Sequence, residues 1–484
     1  MRRPVPPAIP LLVLLLALAP TQPALAQIGQ PEYAARRDSL AARMGEGVLI
    51  AFGAPAPVDP YSGFRQLPAF DYLTGFREPD AVMVLVHDDG GVRHMLFTAR
   101  PSVRTQLYDG FRESPAALAR RTGAAVRPLA ELRAHVDSLL GTGLPFHELR
   151  DFASADAAAR DTLTRGAAFV ASLREADPDL RVADLHGVVA GLRARKSDAE
   201  VALLREAVAV TDAAHRAALA AIEPGAFEYE VEAAIEHAFR SRGADGPAYA
   251  SIVGSGPNST TLHYVRNDRR MEAGDLVLMD VGAQVDGYAA DVTRTVPVSG
   301  SFSPEQRAVY DIVLAALEAA EAEVAPGEPA AAALRASMDV RLRGLADLGL
   351  IEAPDATYDP PWDVDCDARP DQCLQGMLFM IHGISHGIGL EVHDPAGFYF
   401  GEFTYRPGDV FTIEPGLYVQ AEVLDLLPDT PRNRAFVAAV RDAVLRHDDI
   451  GVRVEDDYLV TADGVERLSD APREPAEIEA AMGG

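Results

Sequence analysis

Asp280 and Asp291 lie in the run Leu276-Val-Leu-Met-Asp280-Val-Gly-Ala-Gln-Val-Asp286-Gly287-Tyr288-Ala-Ala-Asp291, where an Asp-Gly dipeptide separates two apolar stretches. That dipeptide is a strong signal for a two-residue hairpin turn. If Asp286 and Gly287 form the loop, residue i pairs with residue 573 minus i, so Gly282 faces Asp291. Asp280, two residues from Gly282, then points to the same face as Asp291 and becomes its diagonal neighbour. Two acids side by side on an apolar strand are costly, because burial and the neighbouring like charge both oppose ionisation, unless a cation offsets them. Either Asp alone would read as a turn or cap residue; together they suggest metal ligands.

A second cluster is His382-Gly-Ile-Ser-His386-Gly-Ile-Gly-Leu-Glu-Val-His393-Asp394, which holds three of the twelve histidines amid glycines that permit tight backbone. Imidazole ligates metals, transfers protons and stabilises oxyanions, so the density suggests divided labour between ligand and proton transfer. Histidines standing alone, such as His87, His135, His215, His237 and His447, read as ordinary surface or core residues. Two further acids interrupt apolar strand-like runs: Glu414 in Phe411-Thr-Ile-Glu414-Pro-Gly-Leu-Tyr418, and Glu455 in Val452-Arg-Val-Glu455-Asp-Asp-Tyr-Leu-Val460. A buried Glu needs a partner; for Glu455 a plain salt bridge to Arg453, two residues away, is an alternative to a metal. Four carboxylates and one imidazole form a hard, oxygen-rich set that suits Mn(II) and tolerates Co(II) or Zn(II).

These motifs need strands on one side and helices to cover them. Ser197 and Glu200 stand at capping-box spacing before an Ala/Leu/Val-rich stretch reaching Ile222, and Ser303-Pro304 with Gln306 repeats the signal before Glu305 to Val324. A further helix is expected at Glu228 to Arg240, and the rest of this half reads as strands and turns. Residues 30 to 185 mix apolar runs, such as Ala81 to Val86 and Met95 to Thr98, with Ala/Arg/Glu-rich helical stretches, an α/β pattern. The boundary falls near Arg193-Ala-Arg-Lys196. The Pro/Asp-rich stretch from Ala353 to Arg369 reads as a surface insertion.

The chain has 484 residues, 48% of them hydrophobic, and a formal charge of -28. This is too long for one core, and two domains are expected. At the N-terminus, Arg2 and Arg3 precede an apolar run from Ile9 to Ala19 and a small-x-small site, Ala24-Leu25-Ala26, which reads as a cleaved signal peptide at 1–26. The run is shorter than the ~20 residues of a membrane span, so the mature chain should be exported and free of the membrane, in the periplasm or the medium. So acidic a surface repels phosphate backbones, which argues against a nucleic-acid partner. The two cysteines, Cys366 and Cys373, read as a short-loop disulfide in an oxidising compartment, with two free thiols as the alternative.

Taken together, Asp280 through Asp291 with Thr293-Arg294-Thr295, the block His382/His386/His393, Glu414-Pro-Gly and Gly451-Val-Arg-Val-Glu455-Asp-Asp resemble the pita-bread metallopeptidases, closest to aminopeptidase P and prolidase. The stretch from Phe64-Arg65-Gln66 to Phe76-Arg-Glu-Pro-Asp80 resembles the N-terminal domain of aminopeptidase P. The resemblance implies an α+β fold: a small α/β N-terminal domain at 27–190, then a pita-bread catalytic domain at 191–484 with a curved antiparallel sheet. It implies two divalent metal ions, with Asp280 chelating one, His386 and Glu414 binding the other, and Asp291 and Glu455 bridging them. His263, His382 and His393 match positions that contact substrate or assist proton transfer, and Arg453 matches a supporting position.

The implied reaction is hydrolysis of Xaa-Pro bonds, releasing the N-terminal residue of proline-containing peptides, by a chain that self-associates as a homo-oligomer. Two stretches depart from the family pattern, Cys366 to Cys373 and Ala421 to Asp449. Either would narrow the entrance and favour an Xaa-Pro dipeptidase (prolidase) activity, or serve a partner or dimer contact. A non-catalytic binding protein and a creatinase-like hydrolase on the same fold are disfavoured by the complete ligand set.

Overall fold

Two apolar runs near the N-terminus, Gly47–Phe52 and Val82–Asp88, pair antiparallel along their length and nucleate a sheet. The computed structural model describes residues 27–59, 63–151, 164–395 and 403–483; the signal peptide expected at 1–26 lies outside these. Gly91–Thr98 adds antiparallel to Val82–Asp88, while Ala125–Pro128, Phe146–Leu149 and Val182–Asp184 join parallel, giving a mixed six-stranded sheet. Both faces are covered, so its central strands are buried almost throughout, as their unbroken apolar runs require. This is the α/β arrangement expected of residues 30 to 185.

The helix His186–Arg193 still packs into that first core through Val189, and the chain then crosses through Arg193–Lys196 into the second half. Asp198–Leu219 begins where Ser197 and Glu200 complete a capping box, and Pro304–Ala322 begins where Ser303 and Gln306 complete another. Glu228–Ser241 lies where a helix was expected. Among the described residues every strand ladder in this half is antiparallel, as an α+β fold with a curved antiparallel sheet demands. Among the described residues no helix is long and apolar enough to cross a membrane.

The reading of the remainder as strands and turns is corrected by three more helices, Ala330–Asp347, Pro431–Arg446 and Pro475–Met482. The first follows Pro329 with no side-chain cap, which hid its start. The second lies inside the stretch Ala421 to Asp449, is capped by Thr430, and buries Phe436, Val440 and Val444 in the main core. That stretch is therefore part of the body of the fold. Cys366 and Cys373 form a disulfide with Cα atoms 5.8 Å apart.

Candidate metal centre

The hairpin forms in the expected register. Leu276–Val281 pairs with Val292–Pro297, placing Thr293 opposite Asp280, and the inner rungs pair Val285 with Tyr288. Asp286 (φ 45°) and Gly287 (φ 81°) both adopt the left-handed backbone that a two-residue hairpin turn of this type needs. Opposite Asp291 stands Gly282, where any Cβ would collide with the carbonyl of Ala290. Asp280 and Asp291 are thus diagonal neighbours, and one hydroxyl, that of Tyr249, donates toward both carboxylates.

The other predicted ligands come from three separate segments. Thr412 N donates to His386 O (2.9 Å) and Glu414 N donates to Ile384 O (2.8 Å), so the histidine segment runs beside the strand Val410–Ile413 and sets His386 next to Glu414. Glu455 follows the strand Ile450–Arg453; its amide donates to Thr293 O (3.1 Å), and Thr293 Oγ1 donates to its Oε2 (2.6 Å). That ties Glu455 to the hairpin arm that also carries Asp291. All nine residues singled out in the sequence line one cavity of about 270 Å³: His263, Asp280, Asp291, His382, His386, His393, Glu414, Arg453 and Glu455.

Within that cavity Asp291, His386 and Glu455 each offer a ligand atom, all within 4.8 Å of one another. Glu455 Oε1 is buried and has no hydrogen-bond partner, a costly state for a carboxylate oxygen. His386 Nδ1 faces Gly387 O (3.1 Å), which can only accept, so the proton belongs on Nδ1 and Nε2 keeps a lone pair. Nε2 faces Asp291 Oδ2 and Glu414 Oε1 at 3.5 Å each. Burial, followed by the neighbouring His393, pulls His386 down to about 4, so these contacts are not ion pairs at neutral pH. Burial and mutual repulsion push the carboxyls of Asp291, Glu414 and Glu455 well above the usual carboxylate range: for Asp291 the chief repelling charge is Asp280, for Glu414 it is Glu455, and for Glu455 it is Asp291. The uncompensated acids, the orphaned oxygen and the free imidazole lone pair fit a divalent cation.

The alternative of an Arg453–Glu455 salt bridge is not what forms. Arg453 bonds Asp280, donates to Tyr418 Oη (2.7 Å) and to Thr293 Oγ1 (3.2 Å), and is buried; the surrounding acids and Tyr418 keep it charged against that burial. Tyr418 Oη in turn lies 2.7 Å from His382 Nε2, while His382 Nδ1 faces Gly383 O at 2.6 Å. Tyr418 must therefore accept from Arg453 and donate to His382. Burial, with Arg453 adding to it, lowers His382 to about 3, leaving it neutral. His393 lies tilted beside His386, ring centroids 4.4 Å apart and planes at 53°, and His263 is exposed at the rim.

Tyr249 and Tyr418 are the site residues that sequence reasoning missed. Tyr418 was visible four residues after Glu414, with nothing to mark its hydroxyl. Tyr249 reaches the acids because Gly246–Pro247 pairs with Ala283 and Gln284, a long-range pairing that no local pattern announces.

A model of metallopeptidase family M24 matches residues 202–462, and one of the aminopeptidase P N-terminal domain matches residues 33–144. The chain is similar to Xaa-Pro aminopeptidase of Escherichia coli (strain K12), 35% identical over 475 residues, which cover 95% of this chain and 99% of that one. It is 33% identical to human Xaa-Pro dipeptidase over 320 residues, 62% of each chain. Among solved structures, Escherichia coli aminopeptidase P with the inhibitor Pro-Leu superimposes with a TM-score of 0.78 at 32% identity, covering 94% of this chain and 99% of that one.

Proposed function

Because the chain belongs to metallopeptidase family M24 and carries the aminopeptidase P N-terminal domain ahead of its catalytic half, we propose that it hydrolyses Xaa-Pro bonds and releases the N-terminal residue of proline-containing peptides. The observation that carries this reading is the convergence of the full ligand set and three histidines on one cavity, in a chain that matches an Xaa-Pro aminopeptidase nearly end to end. We read residues 27–190 and 191–484 as the two domains.

Asp280, Asp291, His386, Glu414 and Glu455 would hold two divalent ions, and their hard donor set favours Mn(II) over softer ions. Such ions, when bound, lower the pKa of water and polarise the scissile carbonyl. The protein's own groups do the rest. Glu414, which lines the same cavity beside His386, is suited to take a proton from the attacking water and return it to the leaving nitrogen. His382, held neutral in one orientation by Tyr418 at Nε2 and by Gly383 O at Nδ1, shapes the wall of the cavity against which substrate lies, and His393 adds an imidazole suited to the oxygen that gains charge in the tetrahedral state. His263 at the rim is placed to touch the incoming peptide. Arg453 neutralises Asp280 and sets the orientation of Tyr418.

Export to the periplasm or the medium is supported by the leader-like N-terminus and by the Cys366–Cys373 disulfide, which persists in an oxidising compartment. Self-association is supported by Val103, Leu107, Tyr108 and Phe111, four exposed apolar side chains clustered on and just beyond the helix Val103–Asp109. The test of substrate class compares an Xaa-Pro-Yaa tripeptide with an Xaa-Pro dipeptide, using purified protein resupplied with Mn(II). Cleavage of the tripeptide is expected. Cleavage confined to the dipeptide would move the assignment to an Xaa-Pro dipeptidase.

A further inference from the structure

The loop that carries His393 has little regular structure: the segment from Gly387 to Asp394 makes one isolated bridge within itself, Asp394 N donating to Gly387 O at 2.8 Å. Gly389 N also donates to Glu391 O (3.0 Å), and the Asp394 side chain adds the contacts that tie the loop together. Asp394 Oδ1 accepts from Glu391 N (3.2 Å), and Gly389 lies so close that a Cβ there would sit 2.8 Å from either carboxylate oxygen. His393 is thus flanked by two acids, Glu391 and Asp394, and both are gripped from the junction between the two halves. Arg193, the last residue of the helix His186–Arg193, donates one Nη to Glu391 Oε2 and Asp394 Oδ1, 2.6 Å each. Lys196 Nζ donates to Asp394 Oδ2 (2.9 Å) and to Arg193 O (3.0 Å). The Arg193, Lys196 and Asp394 side chains are 1 to 2% exposed. Burial works against the Asp394 charge, yet Arg193 and Lys196 outweigh it and hold the carboxyl below its usual range.

We propose that Arg193 and Lys196, at the junction of the two halves, are positioning residues for His393: through Asp394 and Glu391 they fix the loop that presents this imidazole to the cavity. The geometry supports a specific role, because the covalent link from the first core to the second half is also the clamp on one functional histidine. Leu390, between the clamped acids and the hairpin, packs against both hydrophobic cores, so the loop sits in the crease between them. Gly389 O also accepts from Ala289 N (2.8 Å), which sets the loop against the metal-binding hairpin. The catalytic consequence rests on the peptidase reading above; the structural clamp does not.

The test uses the full chain loaded with Mn(II) and the variants Arg193→Met, Arg193→Lys and His393→Ala. Arg193→Met should lower kcat on an Xaa-Pro-Yaa tripeptide at least about tenfold with KM changed less than about twofold, and Arg193→Lys should recover part of that loss. In the His393→Ala background the same Arg193→Met change should alter kcat by less than about twofold, because the residue through which it acts is gone. Hydrogen exchange should quicken in the segment from Gly387 to Asp394 while the strands Leu276–Val281 and Val292–Pro297 stay as protected as before. Effects of Arg193→Met and His393→Ala that multiply, or faster exchange spread over the whole catalytic half, would overturn the proposal in favour of a general structural role. Should the wild type cleave neither peptide, the peptidase reading fails and the exchange experiment alone decides the clamp, unchanged exchange in the loop overturning it. If Arg193→Met does not fold, Glu391→Gln, which removes one acid from Arg193 and leaves Asp394 paired, should show the same loop-confined exchange; its absence would overturn the proposal.

Discussion

The hairpin Leu276–Pro297 and the loop His382–Asp394 bring candidate metal ligands to the same cavity, and they are held there by different means. The hairpin is locally determined: a turn of two left-handed residues sets the register, six ladder pairs between its outer arms maintain it, and Asp280 and Asp291 fall on one face as a consequence. The loop is held from a distance, by Thr412 on a neighbouring strand and Glu414 just past its end, and by Arg193 and Lys196 from the junction. Local determination yields rigidity from a few residues. Distant determination makes the geometry of His393 depend on how the two halves of the chain meet.

The sharpest break in this comparison comes from the hairpin. Asp291→Ala should abolish metal-dependent hydrolysis, a loss of at least about 1,000-fold in kcat/KM, because the residue belongs to the tightest group of ligand atoms. A loss of tenfold or less would show that the site functions without that acid. Gly282→Ala should destabilise the protein by about 4 kcal/mol or more, since a methyl group would collide with the backbone of Ala290; a drop in thermal midpoint shared by all probes of the second half checks it. An unchanged midpoint would mean that the hairpin yields more readily than its ladder suggests. Tyr249→Phe removes the one hydroxyl that serves both aspartates and should weaken metal binding about 10- to 100-fold with little change in stability, measurable by titration with Mn(II).

Protons provide a gentler probe of the same acids. In the metal-free protein Asp291, Glu414 and Glu455 hold protons that the unfolded chain would release from about pH 4 upward. The native state therefore binds more protons than the unfolded one above that value, and metal-free stability should fall as pH rises from about 4 toward neutrality. Metal must displace those protons, so apparent affinity should rise with pH over the same range, which calorimetric titration in buffers of different ionisation enthalpy would reveal. Flat affinity would contradict the assigned protonation. The smallest effect is expected at the hairpin tip, where Asp286 accepts from Arg77 and both are about a third exposed: Asp286→Asn, which leaves Arg77 paired with the buried Asp71, should cost about 1 kcal/mol or less and leave the ligand register intact.

How much of this was legible follows the same division. Asp-Gly at 286–287 made the hairpin register readable from the amino-acid sequence, down to Gly282 facing Asp291. The capping boxes at Ser197 and Ser303 announced their helices because the cap chemistry is local. The density of histidines from His382 to His393 marked that loop as functional, yet nothing in it names Arg193 or Lys196 as its anchors. Tyr249 was invisible for the same reason, its hydroxyl reaching the aspartates through a pairing across some forty residues. Ala330–Asp347 lacks a side-chain cap, and so an 18-residue helix went unread.

The central claim is that these buried acids are assembled to hold two divalent ions that the reaction needs. It is tested most directly by stripping the protein of metal, titrating it with Mn(II), and following bound equivalents and hydrolysis of an Xaa-Pro-Yaa tripeptide in the same samples. Two equivalents per chain in the wild type, with activity appearing as they bind and both lost in Asp291→Ala, is the predicted result. Hydrolysis that survives complete removal of metal, or a wild type that binds none, would contradict it.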